Sequence, residues 1–560
     1  MLPVRAARRA FSTDPSTGRP PGLVEGFLRN ARRDVGRSAG MPRVVATTAG
    51  AVRSRPARRG VVSFLGIPYA AAPVGLRRFA APAPAEAWEG VREAVAPSPV
   101  APQDPRSGYG WSHSAGEDHL TLDVHVPAGS PHDLPVLVWI HGGGWVSGSG
   151  SAPEYHPAAW VARGFVVVSM NYRLGFEGFG AVPGAPHNRG LLDQVAALRW
   201  VQENVAAFGG DPARVTIAGQ SAGATSVAAL MCAPAARGLF TRAIAASVTA
   251  ETYTVAQAER VAARVARAAR VPFDRAGFAG LPPIRLLAAS DAVAQDLAAD
   301  PDAGPRGAVP LLYHPVVDGE IVPGPFVEGP GAGGDPAVDL MVSTVADEWT
   351  LFSRSGFAPV AKEWADVAAF AAAVGLPPAA VAGYRELLPS AGPGAVGDAL
   401  LSDALFAEPS RRFARAHAAR GGRTFLSRFT WRSPALGGRF GATHGLDVPF
   451  AFGNPRAMEL FLHAVPVLPL ARRVPGAPSR LRGVFPTPAA AALSRRMVAA
   501  WTSFAASGDP GWPAAGADGT PVHVWGSRDA LDRAPDPRER IWAGVGFRPY
   551  DGSPVATARG

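Results

Sequence analysis

The chain has 560 residues, of which 47% are hydrophobic, so it can bury a large core and is not a globally disordered protein. The formal net charge of +10 comes from residues 1–60, which hold 13 Arg and 3 acidic residues, whereas the rest of the chain holds 42 basic and 42 acidic residues. This balance argues against nucleic-acid binding by the bulk of the chain.

The N-terminal residues 1–42 are rich in Arg, Gly, Pro and Ser and are predicted to form a disordered basic tail, with Met41 as an alternative translation start. No apolar segment typical of a secretory signal follows Arg8-Arg9, and no run of 18 apolar residues indicates a transmembrane helix. We therefore expect a cytoplasmic protein that does not bind membranes. Its Arg-rich, Ala-rich composition is typical of a GC-rich genome, and we expect a bacterial source.

Short apolar runs rich in β-branched residues then alternate with helical patterns. Continuous apolar strands of this kind are typical of a mostly parallel sheet that is covered by helices on both faces. The predicted strands lie at 134–140, 165–170, 214–218, 338–343 and 424–429.

The helical patterns complete the α/β fold class. Between the second and third strands, the apolar residues from Leu191 to Phe208 recur every three or four positions, as on one face of a helix. The Ala-rich stretches 255–300 and 360–420 are also predicted to be helical and to cover the carboxyl edge of the sheet. No linker interrupts 43–550, so we expect a single domain there, followed by a C-terminal tail at 551–560.

A serine motif, Gly-Gln-Ser-Ala-Gly at 219–223, lies directly between a predicted strand and a predicted helix. Ser221 in such a G-x-S-x-G elbow projects its hydroxyl from a sharp turn, and the glycines keep side chains away from the neighbouring backbone. We therefore predict that Ser221 is a nucleophile. A Gly/Ser turn without catalytic function is the alternative.

A glycine-rich loop, His141 to Trp145, follows the strand 134–140. Glycines let backbone amides approach a developing oxyanion, so Gly143, Gly144 and the residue after the nucleophile, Ala222, are predicted to form an oxyanion hole. His141 belongs to this loop and is not expected to be the catalytic base. A flexible turn is the alternative interpretation.

Several ordered stretches now indicate a family. The sequence resembles the type-B carboxylesterases, which include para-nitrobenzyl-type esterases and cholinesterases, from about residue 43 to about residue 515. This resemblance implies the α/β-hydrolase fold, helical insertions over the active-site edge, and hydrolysis of carboxylic esters. The matching stretches are 64–70, 117–118, 171–175 and 208–212, with a closing helix around 501–510.

A serine nucleophile needs a histidine base and an acid that orients it. His444 follows the strand 424–429 in a loop with small neighbours, whereas His314, His417 and His523 have less distinctive settings. The resemblance also places the catalytic base at His444.

Asp347 or Glu348 can serve as the acid, and the chemistry alone does not choose between them. The resemblance favours Glu348, although the family usually has Gly where this chain has Trp349. It also implies that Ser226 and Asp403 support the acid.

Aromatic residues adjoin the predicted catalytic segments and are candidates for an apolar substrate pocket, with core packing as the alternative. They are Trp145, Trp349, Phe352 and Phe450.

No cofactor and no metal are expected, because neither clustered Cys/His ligands nor a nucleotide-binding motif in its proper context is seen. Cys232, the only cysteine, lies in an apolar run that indicates a buried structural thiol.

The predicted reaction is hydrolysis of small to medium apolar carboxylic esters through an acyl-serine intermediate. The alternatives are an amidase, carbamate hydrolase or lactone-opening enzyme with the same triad, or a non-catalytic binding module on the same fold. A third alternative, a nucleic-acid binder, rests only on the basic tail. The expected partner is a small-molecule ester, and the protein is expected to be a monomer or a homodimer.

Overall fold

A computed structural model describes residues 41–104, 116–129, 131–299, 311–329, 331–356, 358, 360–457, 487–516 and 519–547. The predicted tails at 1–42 and 551–560 lie outside these ranges, except for residues 41 and 42.

Fifteen strands are present in the described residues. They are β1 Val44–Ala46, β2 Ala51–Ser54, β3 Val61–Pro68, β4 Val91–Ala94, β5 Thr121–Pro127, β6 Leu134–Ile140, β7 Val166–Met170, β8 Gly210–Gln220, β9 Arg242–Ala246, β10 Tyr253–Thr254, β11 Val316–Val317, β12 Asp339–Val345, β13 Thr424–Phe429, β14 Val522–Trp525 and β15 Ala530–Asp532.

A ten-stranded sheet forms the centre of the molecule, in the order β15-β14-β13-β12-β9-β8-β6-β7-β5-β3. The strands from β7 to β14 in this order are parallel, and antiparallel pairs occur towards both edges. The predicted α/β class with a mostly parallel sheet is confirmed. This one sheet contains strands from residue 61 to residue 532, which is consistent with a single domain. The predicted domain limits, 43 and 550, stay a prediction.

The helices in the described residues fill the connections between strands. They are α1 Ala158–Val161, α2 Gly175–Phe179, α3 Arg189–Asn204, α4 Ala222–Cys232, α5 Val255–Ala269, α6 Arg275–Ala279, α7 Pro283–Ala299, α8 Thr350–Ser355, α9 Trp364–Ala373, α10 Pro378–Leu387, α11 Pro393–Ser402, α12 Glu408–Ala419, α13 Asp447–Ala451, α14 Pro488–Ser507 and α15 Glu539–Trp542. A single π-helical turn, Asp403–Ala407, joins α11 to α12.

The central strand β6 shows how the sheet is covered on both faces. Val136, Val138 and Ile140 belong to the same apolar cluster as the buried face of α3. The alternate residues Leu137 and Trp139 belong to a second cluster with the buried face of α14. Because successive side chains of a strand point to opposite faces, a continuous apolar run is what a doubly covered sheet needs.

A third apolar cluster forms beside the sheet. It is built from α9, α10 and α11, the π turn, and Trp542 near the C-terminal end of the described chain. The predicted helical character of 255–300 and 360–420 is confirmed over α5 to α7 and α9 to α12. None of the helices in the described ranges combines the length and hydrophobicity that a bilayer crossing needs.

The carboxyl ends of the parallel strands meet at one edge of the sheet, which is where open α/β sheets place ligands. Four of these strands are each followed by a segment that contains candidate site residues. β6 leads into the glycine-rich loop, β8 into Ser221, and β12 into Asp347 and Glu348. β13 leads into the loop with His444.

Candidate active site

Ser221 lies at a strained turn between β8 and α4. Its backbone has φ 58° and ψ −126°, an uncommon conformation for a residue with a side chain, and its amide donates to the Ala246 carbonyl at 2.9 Å. A Cβ atom at Gly219 would lie 2.4 Å from the Gly223 carbonyl oxygen, and one at Gly223 would lie 2.2 Å from the Ile140 carbonyl oxygen. The turn therefore needs both glycines of the motif.

The glycine-rich loop brings backbone amides to the same edge. Gly143 has φ 112° and Gly144 has φ 61°, and a Cβ at Gly143 would lie 2.1 Å from the Ser147 carbonyl oxygen. Neither amide donates to another group among the described residues, so both are available to a bound oxyanion. The third predicted donor, Ala222, is the first residue of α4, where backbone amides lack partners within the helix.

His141 has a structural setting in this loop. Its Nδ1 lies 2.8 Å from the Gly142 carbonyl oxygen, and its ring stacks on Tyr172 with 4.4 Å between centroids. Burial lowers the pKa of His141 to about 4. The ring is therefore neutral at pH 7, and its contacts do not involve Ser221.

His444 and Glu348 form a buried pair. The Nδ1 atom of His444 lies 2.5 Å from Oε2 of Glu348, while Oε1 of Glu348 accepts from the Val345 amide at 3.0 Å. Asp347 faces elsewhere, because its carboxylate accepts from Arg432 at 2.9 Å and from a backbone amide at 2.8 Å. Of the two acids left open by the sequence, Glu348 is the one that contacts the imidazole.

A further contact of Glu348 was missed by the sequence analysis. Ser247, which follows β9 at the same edge, donates its hydroxyl to Oε1 of Glu348 at 2.7 Å. Ser247 is fully buried and has φ 64°, while its amide donates to the Ser343 carbonyl at 2.8 Å. The sequence carries little signal for this contact, because the preceding strand β9 contains only one β-branched residue.

The two residues expected to support the acid have other partners. Ser226 accepts from the Trp145 indole and from the Gln194 amide, each at 3.3 Å. Asp403 begins the π turn, where it accepts from the Tyr384 hydroxyl at 2.6 Å and from Arg538 at 3.3 Å.

Aromatic rings surround His444 on the side of the third cluster. Phe406, from the π turn, lies 4.4 Å from the His444 ring, and Phe352 lies 5.4 Å from it, measured between centroids. Phe406 was not among the sequence candidates, and π turns inside helices are frequent at functional sites. Trp349 packs on Phe352 with 4.9 Å between their centroids.

The other two pocket candidates lie in packed surroundings. Trp145 is buried against Phe179, at 5.9 Å between centroids, and Phe450 is buried against Phe429, at 5.2 Å.

Two polar side chains next to the pair were also missed. The side-chain nitrogen Nε2 of Gln220 lies 3.0 Å from Nε2 of His444. Asp447, three residues after His444, is fully buried, and its carboxyl oxygens accept no hydrogen bond of ordinary length within the described residues. Burial and the nearby charge of Glu348 raise the pKa of Asp447 to about 7, against the opposing influence of His444.

This edge of the sheet therefore holds the parts that acyl transfer needs: a hydroxyl on a strained elbow, an imidazole held by a buried carboxylate, and free backbone amides. Within the described ranges, no group of three or more His, Cys, Asp or Glu residues is arranged to hold a metal ion.

Comparisons with known proteins identify the family of this chain. The model of the carboxylesterase family matches residues 41–373 and 395–521. The para-nitrobenzyl esterase of Bacillus subtilis is 32% identical over 517 residues, which cover 89% of this chain and 97% of that protein. A phenmedipham hydrolase of Pseudarthrobacter oxydans is 49% identical over 192 residues, covering 33% of this chain and 39% of that protein.

Solved structures give the same result. The crystal structure of a carboxylesterase of Geobacillus stearothermophilus at pH 6.2 superposes with a TM-score of 0.74 and 33% identity, covering 90% of this chain and 100% of that one. A structure of a para-nitrobenzyl esterase gives a TM-score of 0.74 and 31% identity over 90% of this chain and 99% of that one. The expected α/β-hydrolase fold is therefore confirmed. The chain belongs to the carboxylesterase family of carboxylic ester hydrolases.

Proposed function

We propose that this protein hydrolyses small to medium apolar carboxylic esters through an acyl-serine intermediate on Ser221. The observation that carries the proposal is the position of Ser221 on its strained elbow, at the same sheet edge as the 2.5 Å contact between His444 and Glu348. Family membership and the names of the matched esterases support the reaction class.

In the first half of the reaction, the Ser221 oxygen attacks the ester carbonyl carbon while its proton passes to Nε2 of His444. Glu348 accepts the Nδ1 proton in a hydrogen bond, so it fixes the tautomer in which Nε2 carries no proton, and it stabilises the imidazolium that forms. The amides of Gly143, Gly144 and Ala222 donate to the oxyanion. His444 then returns the proton to the leaving alcohol as the C–O bond breaks.

In the second half, water replaces the alcohol. His444 takes a proton from the water as its oxygen attacks the acyl carbon, and the same amides stabilise the second oxyanion. The collapse of this intermediate releases the carboxylic acid and returns the proton to the Ser221 oxygen. The reaction needs no group beyond these side chains, the backbone amides and water.

The rings around His444 support the proposed substrate class. Phe352 and Phe406 present apolar surface on one side of the imidazole, which favours an apolar acyl or alcohol group of limited size. A small-molecule ester is thus the proposed partner. A cytoplasmic location, a bacterial source and a monomeric or homodimeric state stay predictions.

The test compares hydrolysis of short-chain p-nitrophenyl esters by the wild type and by Ser221→Ala. Removing the nucleophile should lower kcat by about 10⁴- to 10⁶-fold. Ser507→Ala is the matched control and should keep full activity, because among the described residues the hydroxyl of this exposed serine bonds only to the Ser503 carbonyl of its own helix. Equal activity in the wild type and Ser221→Ala would refute the mechanism.

The same assay separates the alternatives. A folded wild type that cleaves amides or carbamates in preference to esters would indicate the related hydrolases with the same triad. A folded wild type inactive on every acyl substrate would indicate a binding module.

A further inference from the structure

The contact between Gln220 and His444 involves the nitrogen on which the proposed reaction depends. Glu348 is an acceptor when ionised, so Nδ1 of His444 must donate to it across the 2.5 Å contact. In the neutral ring, Nε2 is then an acceptor with one lone pair in the ring plane. The Gln220 nitrogen, 3.0 Å away, must therefore donate an N–H to Nε2.

The Ser221 hydroxyl needs the same lone pair. Proton transfer from Ser221 requires its O–H to point at Nε2, and one lone pair accepts one hydrogen bond of good geometry. Within the described residues, the hydroxyl of Ser221 forms no hydrogen bond with His444, and Nε2 is occupied by Gln220. The two neighbouring side chains are therefore in competition for one atom.

Gln220 is held firmly enough to compete. It is the last residue of β8, the residue is 7% exposed, and a Cβ at Gly142 would lie 2.9 Å from its Oε1 atom. The absence of a side chain at Gly142 thus makes room for the amide of Gln220 beside the ring. A buried amide in such close surroundings has few other conformations available.

We propose that Gln220 is a positioning residue that occupies Nε2 of His444 in the resting enzyme, and that Ser221 must displace it before acylation. This inference rests on the proposed function, because it concerns the same base. In the transition state the proton lies between Ser221 and Nε2, so the bond from Gln220 is broken. An interaction present only in the ground state raises the barrier.

The proposal predicts that removing the amide speeds acylation. Gln220→Met keeps a similar volume without a hydrogen-bond donor, and Gln220→Asn keeps the amide on a side chain that is one methylene shorter. Loss of one ordinary net hydrogen bond from the ground state corresponds to an increase of about 2- to 12-fold in the rate constant. Both variants should show this increase in the rate constant, although the methionine side chain is apolar and the asparagine side chain is polar.

The assay is the second-order rate constant for modification of Ser221 by a small sulfonyl fluoride, together with kcat/KM for p-nitrophenyl acetate. Gln202→Met is the matched control, since Gln202 donates to the carbonyls of Pro212 and Leu239 and has no contact with the site. Its rates should equal those of the wild type. A structural defect in the site would lower both rate constants, so an increase is specific to the proposed competition.

A second measurement needs no variant at Gln220. The ¹⁵N resonance of His444 Nε2 should be the same in the wild type and Ser221→Ala at pH 8, because Gln220 and not Ser221 donates to it. A clear change in that resonance, or rates in Gln220→Met and Gln220→Asn at or below the wild type, would overturn the inference. Failure of the proposed function has a different signature, namely full ester turnover in Ser221→Ala.

Discussion

Ser247 tests whether the environment of Glu348 is functional, because its hydroxyl can be removed without touching Ser221 or His444. Hydrogen bonds to charged groups contribute about 1.5–3 kcal/mol, and the 2.7 Å bond to Oε1 of Glu348 is buried. We expect Ser247→Ala to lower the free energy of unfolding by about 1.5–3 kcal/mol. If the bond mainly keeps Glu348 ionised and oriented, kcat/KM should fall by about 10- to 100-fold.

Ser247→Gly separates the two effects. With φ 64°, Ser247 occupies the left-handed region, which costs a residue with a side chain about 1–2 kcal/mol and costs glycine little. The glycine variant loses the same hydroxyl but relieves this strain, so it should be about 1 kcal/mol more stable than Ser247→Ala.

Despite their different stabilities, both variants should show the same fold decrease in kcat/KM. Urea denaturation followed by tryptophan fluorescence gives the stabilities, and hydrolysis of p-nitrophenyl acetate gives kcat/KM. Undiminished activity in Ser247→Ala would refute the reasoning, as would activities that follow the stabilities of the two variants.

Three further predictions concern residues of the same edge. Glu348→Gln should lower kcat for p-nitrophenyl acetate about 10⁴-fold. Asp347→Asn should lower kcat less than about 10-fold, because the Asp347 carboxylate is bonded to Arg432 and not to His444. Equal losses of kcat in the two variants would contradict the assignment of Glu348 as the acid. Gly223→Ala places a Cβ 2.2 Å from a carbonyl oxygen and should abolish activity and lower the Tm, while Gly324→Ala, with open space around it, should change neither. Burial raises the pKa of Asp447 to about 7, so the contribution of this carboxyl group to the free energy of unfolding falls as the pH rises from about 4 to about 7. Asp447→Asn lacks this pH dependence, so its free energy of unfolding should increase relative to that of the wild type between pH 5 and pH 8 in urea denaturation. A difference between the two proteins that stays constant over this range would contradict the assigned pKa.

The central strands could be predicted because they are buried on both faces and therefore form continuous apolar runs. The predicted strands 134–140 and 424–429 coincide with β6 and β13. By contrast, β9 has the sequence Arg-Ala-Ile-Ala-Ala, in which a single β-branched residue gives little sign of a strand. Missing β9 also meant missing Ser247, which lies directly after it.

The elbow and the glycine-rich loop were recognisable because local sterics allow few residue types there. Contacts between distant segments leave no such local pattern. The pairing of Glu348 with His444 spans 96 positions, and that of Gln220 with His444 spans 224. Phe406 was missed for a related reason, since a π turn within a helical stretch resembles an ordinary helix in sequence.

The order of the sheet has a consequence for synthesis on the ribosome. From β8 outward, the strands β9, β12, β13 and β14 follow one another in chain order. A nascent chain can therefore add each strand to the previous one, and the residues of the proposed site are synthesised in the order Ser221, Ser247, Glu348 and His444.

A chain that stops before β13 would contain Ser221 and Glu348 without His444. It would also expose β12 as an unpaired edge, which is a template for pairing with other chains. Premature termination in this stretch should thus give insoluble, inactive fragments rather than a partly active esterase.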